Sequence, residues 1–223
     1  MGRPCISHSL SSYAPRSETA TALTWYGHHR HMIQLDILCV GDLERDDDGN
    51  VLSAHSTSVL IRTPGHTIVV DPSTEHMLPM IRSSFKQIGV LPKDVDMVVL
   101  THTHSDHIGN IPFYPNARVY VHKGGKTEIP GARIIESDDF KLTEGVRLVY
   151  TPGHCTEEMS VFVDADRHYV CAGDAIPLEG NFTRNLPPTL STDRRLALES
   201  IKKIREYADV VIPGHDFPFV TER

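Results

Sequence analysis

The chain has 223 residues, 39% hydrophobic and 23% charged, with 22 basic against 29 acidic side chains and a formal net charge of −7. Such a composition excludes a disordered or fibrous chain and fits one folded domain of ordinary size. No apolar run approaches the ~20 residues of a membrane-spanning helix, and the acidic balance gives no support to a generally nucleic-acid-binding surface.

Residues 1–31 mix Ser, Pro and Arg without a sustained apolar period. They are expected to form a leader outside the fold, with a transit peptide or an upstream start codon as alternatives; residues 32–223 then make the domain. Residues 33–40 predict a strand and 44–49 a polar turn. A pair of strands follows at 58–62 and 67–70 around Pro64-Gly65. The spacing of Met77, Met80, Ile81, Phe85 and Ile88 predicts a helix over 75–87, stopped by Gly89 and Pro92. The run 95–100, apolar apart from Asp96, predicts a strand buried on both faces. Short strands are expected at 119–121, 133–135, 146–150, 160–163 and 168–171, then a helix at 194–207 and a closing strand at 210–212. Strands outnumber helices, which suggests two packed sheets with helices outside.

Four cysteines (Cys5, Cys39, Cys155 and Cys171) lie far apart with no C-x-x-C pair, against a disulfide scaffold or a thiolate zinc knuckle. Histidine is the anomaly, with 14 in the chain. Directly after the buried strand comes Thr101-His102-Thr103-His104-Ser105-Asp106-His107. In extended backbone His102 and His104 point the same way. Three imidazoles and a carboxylate make a borderline-soft donor set that suits zinc, and iron or manganese less selectively. Two later segments, ending Thr151-Pro152-Gly153-His154 and Ile212-Pro213-Gly214-His215, each run from an apolar strand through Pro-Gly to a His. Between them, 170–174 delivers Asp174 after another strand. Pro64-Gly65-His66 looks alike but sits between two predicted strands, so His66 is expected to be an exposed turn residue. His55 and His122 are weaker candidates, and Cys155 is expected to be a small buried residue.

These residues closely resemble the metallo-β-lactamase superfamily. His102-x-His104-x-Asp106-His107 matches its H-x-H-x-D-H signature, His154, Asp174 and His215 follow in its order, and Asp71 matches its early acidic motif. The resemblance implies an α/β fold, a four-layer αβ/βα sandwich with the site along one edge. It implies two divalent metal ions, zinc first, with iron or manganese as alternatives. His102, His104 and His154 would hold one metal, and Asp106, His107 and His215 the other, with Asp174 bridging. The implied activity is hydrolysis of an ester, thioester, lactone or phosphodiester by a metal-bridging hydroxide, with Asp106 as the catalytic group that takes a proton or orients the nucleophile. Asp71 would fix an imidazole tautomer.

Asp174 stands where the commonest zinc β-lactamases carry Cys, His104 where diiron oxygen reductases carry Glu, and Pro177 where lactonases carry a catalytic Tyr. Ser105 before Asp106, Ile108-Gly109-Asn110 after His107 and the closing segment 208–219 resemble the group around metallo-β-lactamase-domain-containing protein 1, which brings endoribonuclease-like cleavage into view. Glu157 and Glu158 depart from the usual small residues after His154. A mononuclear non-haem iron persulfide dioxygenase on the same fold, with His102, His154 and Asp174 as ligands, is the competing reading. A binding protein using metal for stability is a third. Partners expected are a small-molecule or RNA substrate and a second copy of the chain, with no membrane; the expected location is cytoplasmic.

Overall fold

The computed structural model describes residues 33–124 and 129–222. The leader, Cys5, His28, His29 and His31, and Lys126 lie outside the described residues. The first half holds β1 (Gln34–Cys39), a hairpin of β2 (Asp42–Arg45) and β3 (Val51–His55), then β4 (Ser58–Arg62) and β5 (Thr67–Val70). Helix α1 (Leu78–Ile88) leads to β6 (Met97–Val99), the single turn α2 (Ser105–Ile108), β7 (Arg118–His122) and β8 (Arg133–Ile135). The second half holds β9 (Asp139–Thr143), β10 (Val146–Tyr150), β11 (Met159–Asp164) and β12 (His168–Gly173). Helices α3 (Glu179–Thr183) and α4 (Arg194–Tyr207) precede β13 (Val210–Pro213) and β14 (Phe219–Val220).

Two six-stranded sheets result, ordered β1-β4-β5-β6-β7-β8 and β14-β13-β12-β11-β10-β9. Residues 95–100 show how the sequence places the first sheet. Met97 and Val99 point inward with Val59, Ile61, Ile68 and Val70, meeting Val146, Leu148, Met159, Val161, Cys171 and Ile212 of the second sheet. Val98 and Leu100 point outward, onto Ile81 and Phe85 of α1. Strand β6 is therefore apolar at every position because both of its faces are covered. On the far side Ile201 and Ile204 of α4 cover Phe162, Val170 and Val211. Helix, sheet, sheet, helix is the four-layer αβ/βα sandwich expected.

Helix ends follow local chemistry. Helix α1 stops at Gly89, whose φ of 77° is left-handed and whose N–H donates to Phe85 O. Asp193 caps α4 by accepting from the N–H groups of Arg195 at 2.9 Å and Leu196 at 3.0 Å.

Some expectations need correction. The polar turn at 44–49 is shorter, because Glu44 and Arg45 belong to β2 and pair with β3. Asp46 makes the turn itself, its carboxylate accepting from the N–H groups of Asp48 and Asn50. Met80 is 53% exposed and lies off the apolar face of α1, which Ile81 and Phe85 supply. Strands β2, β3, β9 and β14, and the short helices α2 and α3, had no counterpart among the predicted elements. Among the described residues no helix is long and apolar enough to cross a membrane.

Leu148 is 1% exposed between the sheets. Leu148→Ala is expected to lower the unfolding free energy by about 2–5 kcal/mol in denaturant titrations. A loss under ~1 kcal/mol would mean that the cavity collapses freely and the two sheets are not interlocked at this position.

Candidate metal centre

Strand ends on one edge of the sandwich deliver every candidate ligand. Asp71 follows β5, the segment from Thr101 to His107 follows β6, His154 follows β10, Asp174 follows β12 and His215 follows β13. His104 holds extended backbone, and the single turn of α2 after it swings Asp106 and His107 to one side of the His102–His104 pair.

Two groups of side chains converge there. His102 Nε2 lies 3.0 Å and His154 Nε2 3.1 Å from His104 Nδ1. His215 Nε2 lies 3.5 Å from Asp106 Oδ2, which in turn is 3.8 Å from His107 Nε2. Asp174 stands between the groups, Oδ2 at 3.4 Å from His154 Nε2 and Oδ1 at 3.1 Å from His215 Nε2. Ligand atoms of His102, His104 and His154 lie within 4.8 Å of one another, and so do those of Asp106, His107 and His215. All seven predicted ligands are thus brought together, and His66, His55 and His122 are not among them. His66 is half-buried rather than fully exposed, its Nδ1 2.5 Å from Asp96 Oδ2. His55 gives its backbone carbonyl to the site, and His122 stacks on Tyr150.

The outer nitrogens say which way each ring presents its lone pair. His154 Nδ1–H donates to Leu190 O at 2.7 Å, His107 Nδ1–H to Asp71 Oδ2 at 2.8 Å, and His215 Nδ1–H to His55 O at 3.0 Å. His102 Nδ1 is 3.1 Å from Thr101 Oγ1, whose own proton goes to Asp71 Oδ2. Each Nε2 is then left to turn a lone pair toward the centre. The buried His107 Nε2 and Asp174 Oδ1 have no hydrogen-bond partner. Lone pairs crowded to about 3 Å and orphaned polar atoms cost free energy unless a cation takes them up. The residues therefore fit divalent metals.

Protonation is uneven across the centre. Burial and the neighbouring rings pull His102 well below the usual imidazole range, and His104 falls for the same reasons. Burial alone would lower His107 too, but Asp71 and Asp174 lift it well above that range. Asp174 in turn is held well below the ordinary carboxylate range, against its burial, by His107 and His215.

Four contributors escaped the sequence, three backbone carbonyls and one side chain. The carbonyls of Leu190, Asp42 and His55 leave no side-chain signature. Glu158 was noticed only as a departure from small residues; it is fully buried, with Oε2 3.4 Å from His102 Nδ1. Gly214, already singled out in the Pro-Gly-His segment, is needed for close approach, since a Cβ there would lie 2.3 Å from Asp174 Oδ1.

The metallo-β-lactamase superfamily model matches residues 54–133. A probable metallo-hydrolase of Methanocaldococcus jannaschii is 37% identical over 184 residues, 82% of this chain and 87% of the relative. The chain belongs to the metallo-β-lactamase superfamily. Metallo-beta-lactamase domain-containing protein 1 of Xenopus laevis is 31% identical over 78% of the chain and 76% of that protein. In fold, the crystal structure of a putative metallo-β-lactamase from Thermotoga maritima superposes with a TM-score of 0.72 at 21% identity, covering 86% of this chain and all of that one. The protein is accordingly an enzyme of the metallo-β-lactamase-fold hydrolase type, a fold that binds divalent metals.

Beside the centre opens a cleft of about 360 Å³, with His104, Asp106, His154, Asp174 and His215 in its lining. Leu43, Leu52, Leu178, Pro188 and Leu190 contribute apolar wall, and Arg45 is its one cation among the described residues.

Gly214→Ala is expected to displace the Asp174 carboxylate or the Gly173 carbonyl packed against it and so cut metal content per chain, read by elemental mass spectrometry; unchanged content would show that these neighbours yield. Burial pushes the thiols of Cys39, Cys155 and Cys171 up, with Glu158 and Glu157 adding to the effect at Cys155. Their thiolate fraction is therefore low, and all three are expected to resist iodoacetamide at mildly alkaline pH until the chain is unfolded. Peptide mapping that found any of them alkylated in the native protein would contradict this.

Proposed function

We propose that this enzyme is a dinuclear zinc hydrolase acting on esters, thioesters or lactones with an apolar acyl part. The observation that carries the reading is one arrangement: two three-residue groups with Asp174 between them, grouped with His102 and His107 and within 3.4 Å of His154 and 3.1 Å of His215, beside a cleft with leucine-rich walls. His102, His104 and His154 would hold one metal, and Asp106, His107 and His215 the other, with Asp174 common to both. Imidazole and carboxylate donors without thiolate suit zinc. When bound, the metals supply an acidified water and a Lewis acid for the attacked carbonyl.

The chain's own residues do the rest. Asp106, with its side chain 20% exposed at the cleft, is the group that accepts the nucleophile's proton. Its placement among ligand imidazoles keeps it within reach of any atom bound at the centre. Leu52 is 61% and Leu190 56% exposed at the mouth, and covering them with an acyl chain removes that surface from water. Arg45 is held by donating to Gly49 O at 2.7 Å, which leaves its remaining donors for a substrate carbonyl or carboxylate. A phosphodiester backbone needs clustered cations, and one arginine among leucines speaks against it.

Protein purified without added metal or an affinity tag that binds metal is expected to carry close to two zinc per chain. It is expected to cleave p-nitrophenyl esters faster than bis(p-nitrophenyl) phosphate, with KM falling as the acyl chain lengthens. Asp106→Asn is expected to lower kcat by about 10²–10⁴. One iron per chain with oxygen uptake on persulfides would replace this reading with the dioxygenase one, and preference for the phosphodiester would overturn the acyl assignment.

A further inference from the structure

We propose that Arg45 is a specificity-determining residue and that the acyl part this cleft takes ends in a carboxylate, with an apolar chain between that anion and the attacked carbonyl. This deepens the ester-hydrolase reading above and rests on it.

The hairpin of β2 and β3 runs outward from the metal centre. Its base is the pair Asp42 and His55, whose carbonyls lie 3.2 and 3.0 Å from His215 Nδ1. Arg45 pairs with Val51 at the other end. It stands three residues on from Asp42, which at about 3.3 Å per residue is about 10 Å along the strand. Alternate residues of a strand share a face, and in β2 it is Leu43 and Arg45 that line the cleft, whereas Asp42 and Glu44 are exposed. Leu43 is paired with Ala54, which lines the cleft beside it. From the centre outward this wall therefore presents an apolar step first and a cation after it.

The head of Arg45 is held in place and has donors to offer. Its Nη1 donates to Gly49 O at 2.7 Å, in the turn beyond β2, which draws the guanidinium toward the hairpin tip and away from the centre. The edge formed by Nε and Nη2 is left, the fork that meets a carboxylate with two parallel hydrogen bonds. Among the described residues no carboxylate pairs with Arg45. Of the acids beside it, Glu44 lies on the other face, and Asp46 turns its carboxylate into the turn, accepting from Asp48 N–H, Asn50 N–H and Asn50 Nδ2. The acids in the cleft lining, Asp106 and Asp174, are candidate metal ligands. A half-buried guanidinium beside Leu43 and Val51 attracts an anion more strongly than one in open water. A neutral acyl chain would leave that fork to water, whereas one ending in a carboxylate fills the leucine wall and the fork together.

The zinc-loaded chain is tested on the mono-p-nitrophenyl esters of adipic, suberic and sebacic acid, each beside the neutral p-nitrophenyl ester of equal acyl length. We expect kcat/KM to favour the charged ester in at least one pair, and the preference to shrink as salt is raised. In Arg45→Gln the ratio of charged to neutral ester is expected to fall about 10–100-fold, through KM rather than kcat, and Arg45→Lys to restore part of it. Without metal or turnover, NMR titration of the wild type is expected to show octanoate binding more tightly than octanamide, and Arg45→Gln to lose that difference. A hairpin merely loosened by the substitution would slow both esters alike and leave their ratio unchanged. That result overturns the proposal, as does a wild type that prefers the neutral ester at every length or binds octanoate and octanamide equally. Cleavage of neither ester series by a chain that takes up zinc fails the acyl reading itself. If Arg45→Gln does not fold, the wild-type ratio and its salt dependence decide.

Discussion

Every imidazole buried at this centre has to place two nitrogens, and the fold answers by giving each outer nitrogen its own acceptor. Leu190 O serves His154, Asp71 serves His107, and Thr101 Oγ1 serves His102. The β2–β3 hairpin serves His215 with the carbonyls of Asp42 and His55, residues directly paired across that hairpin. An imidazole without such an acceptor would be free to turn or to exchange tautomers, and its inner lone pair would lose its aim. The architecture is thus held to this requirement from several directions: two sheets, a hairpin and two loops must meet at one edge, each bringing a ring or the oxygen that orients one.

The acceptors also make the two groups chemically unequal. His102, His104 and His154 sit mainly among other rings, so burial and mutual repulsion keep His102 and His104 neutral. His107 and His215 lie against carboxylates, which draw protons onto them despite burial. Asp174, touching both, is where these environments join.

Much of this was legible in the sequence because the strongest signals are side chains. The run at 95–100 reads as a strand covered on two faces, and its centre, Met97–Val99, is one. The H-x-H-x-D-H segment after it, and the two Pro-Gly-His endings, name the ligand positions directly. Elsewhere the sequence is silent for physical reasons. Strands β2 and β3 carry mostly exposed or half-buried residues, so no alternation of apolar and polar marks them. Strand β9 does alternate, with Phe140 and Leu142 turned onto the core, but it is a five-residue edge strand, and β14 is two residues long. The register of β2, β3 and β14 is set by pairing with neighbours rather than by their own pattern, and pairing is a tertiary fact.

Glu158 shows the same limit at the level of a single side chain. An acidic residue next to another acidic residue in a loop reads as solvated surface, and Glu157 behaves partly that way, accepting from Thr103. The chain turns Glu158 inward because Met159 begins a strand whose amide pairs with Thr101 O, beside His102. Once that pairing is made, the preceding side chain has nowhere to go but under the metal loop, where two backbone amides and a thiol await an acceptor. An apolar residue there would leave the amides of Asp174 and Ala175 without their acceptor in a dry interior, at a cost of about 1–3 kcal/mol for each buried group. The backbone register of β11 thus dictates a buried acid, which lies against His102 on one side and holds the Asp174 amide on the other.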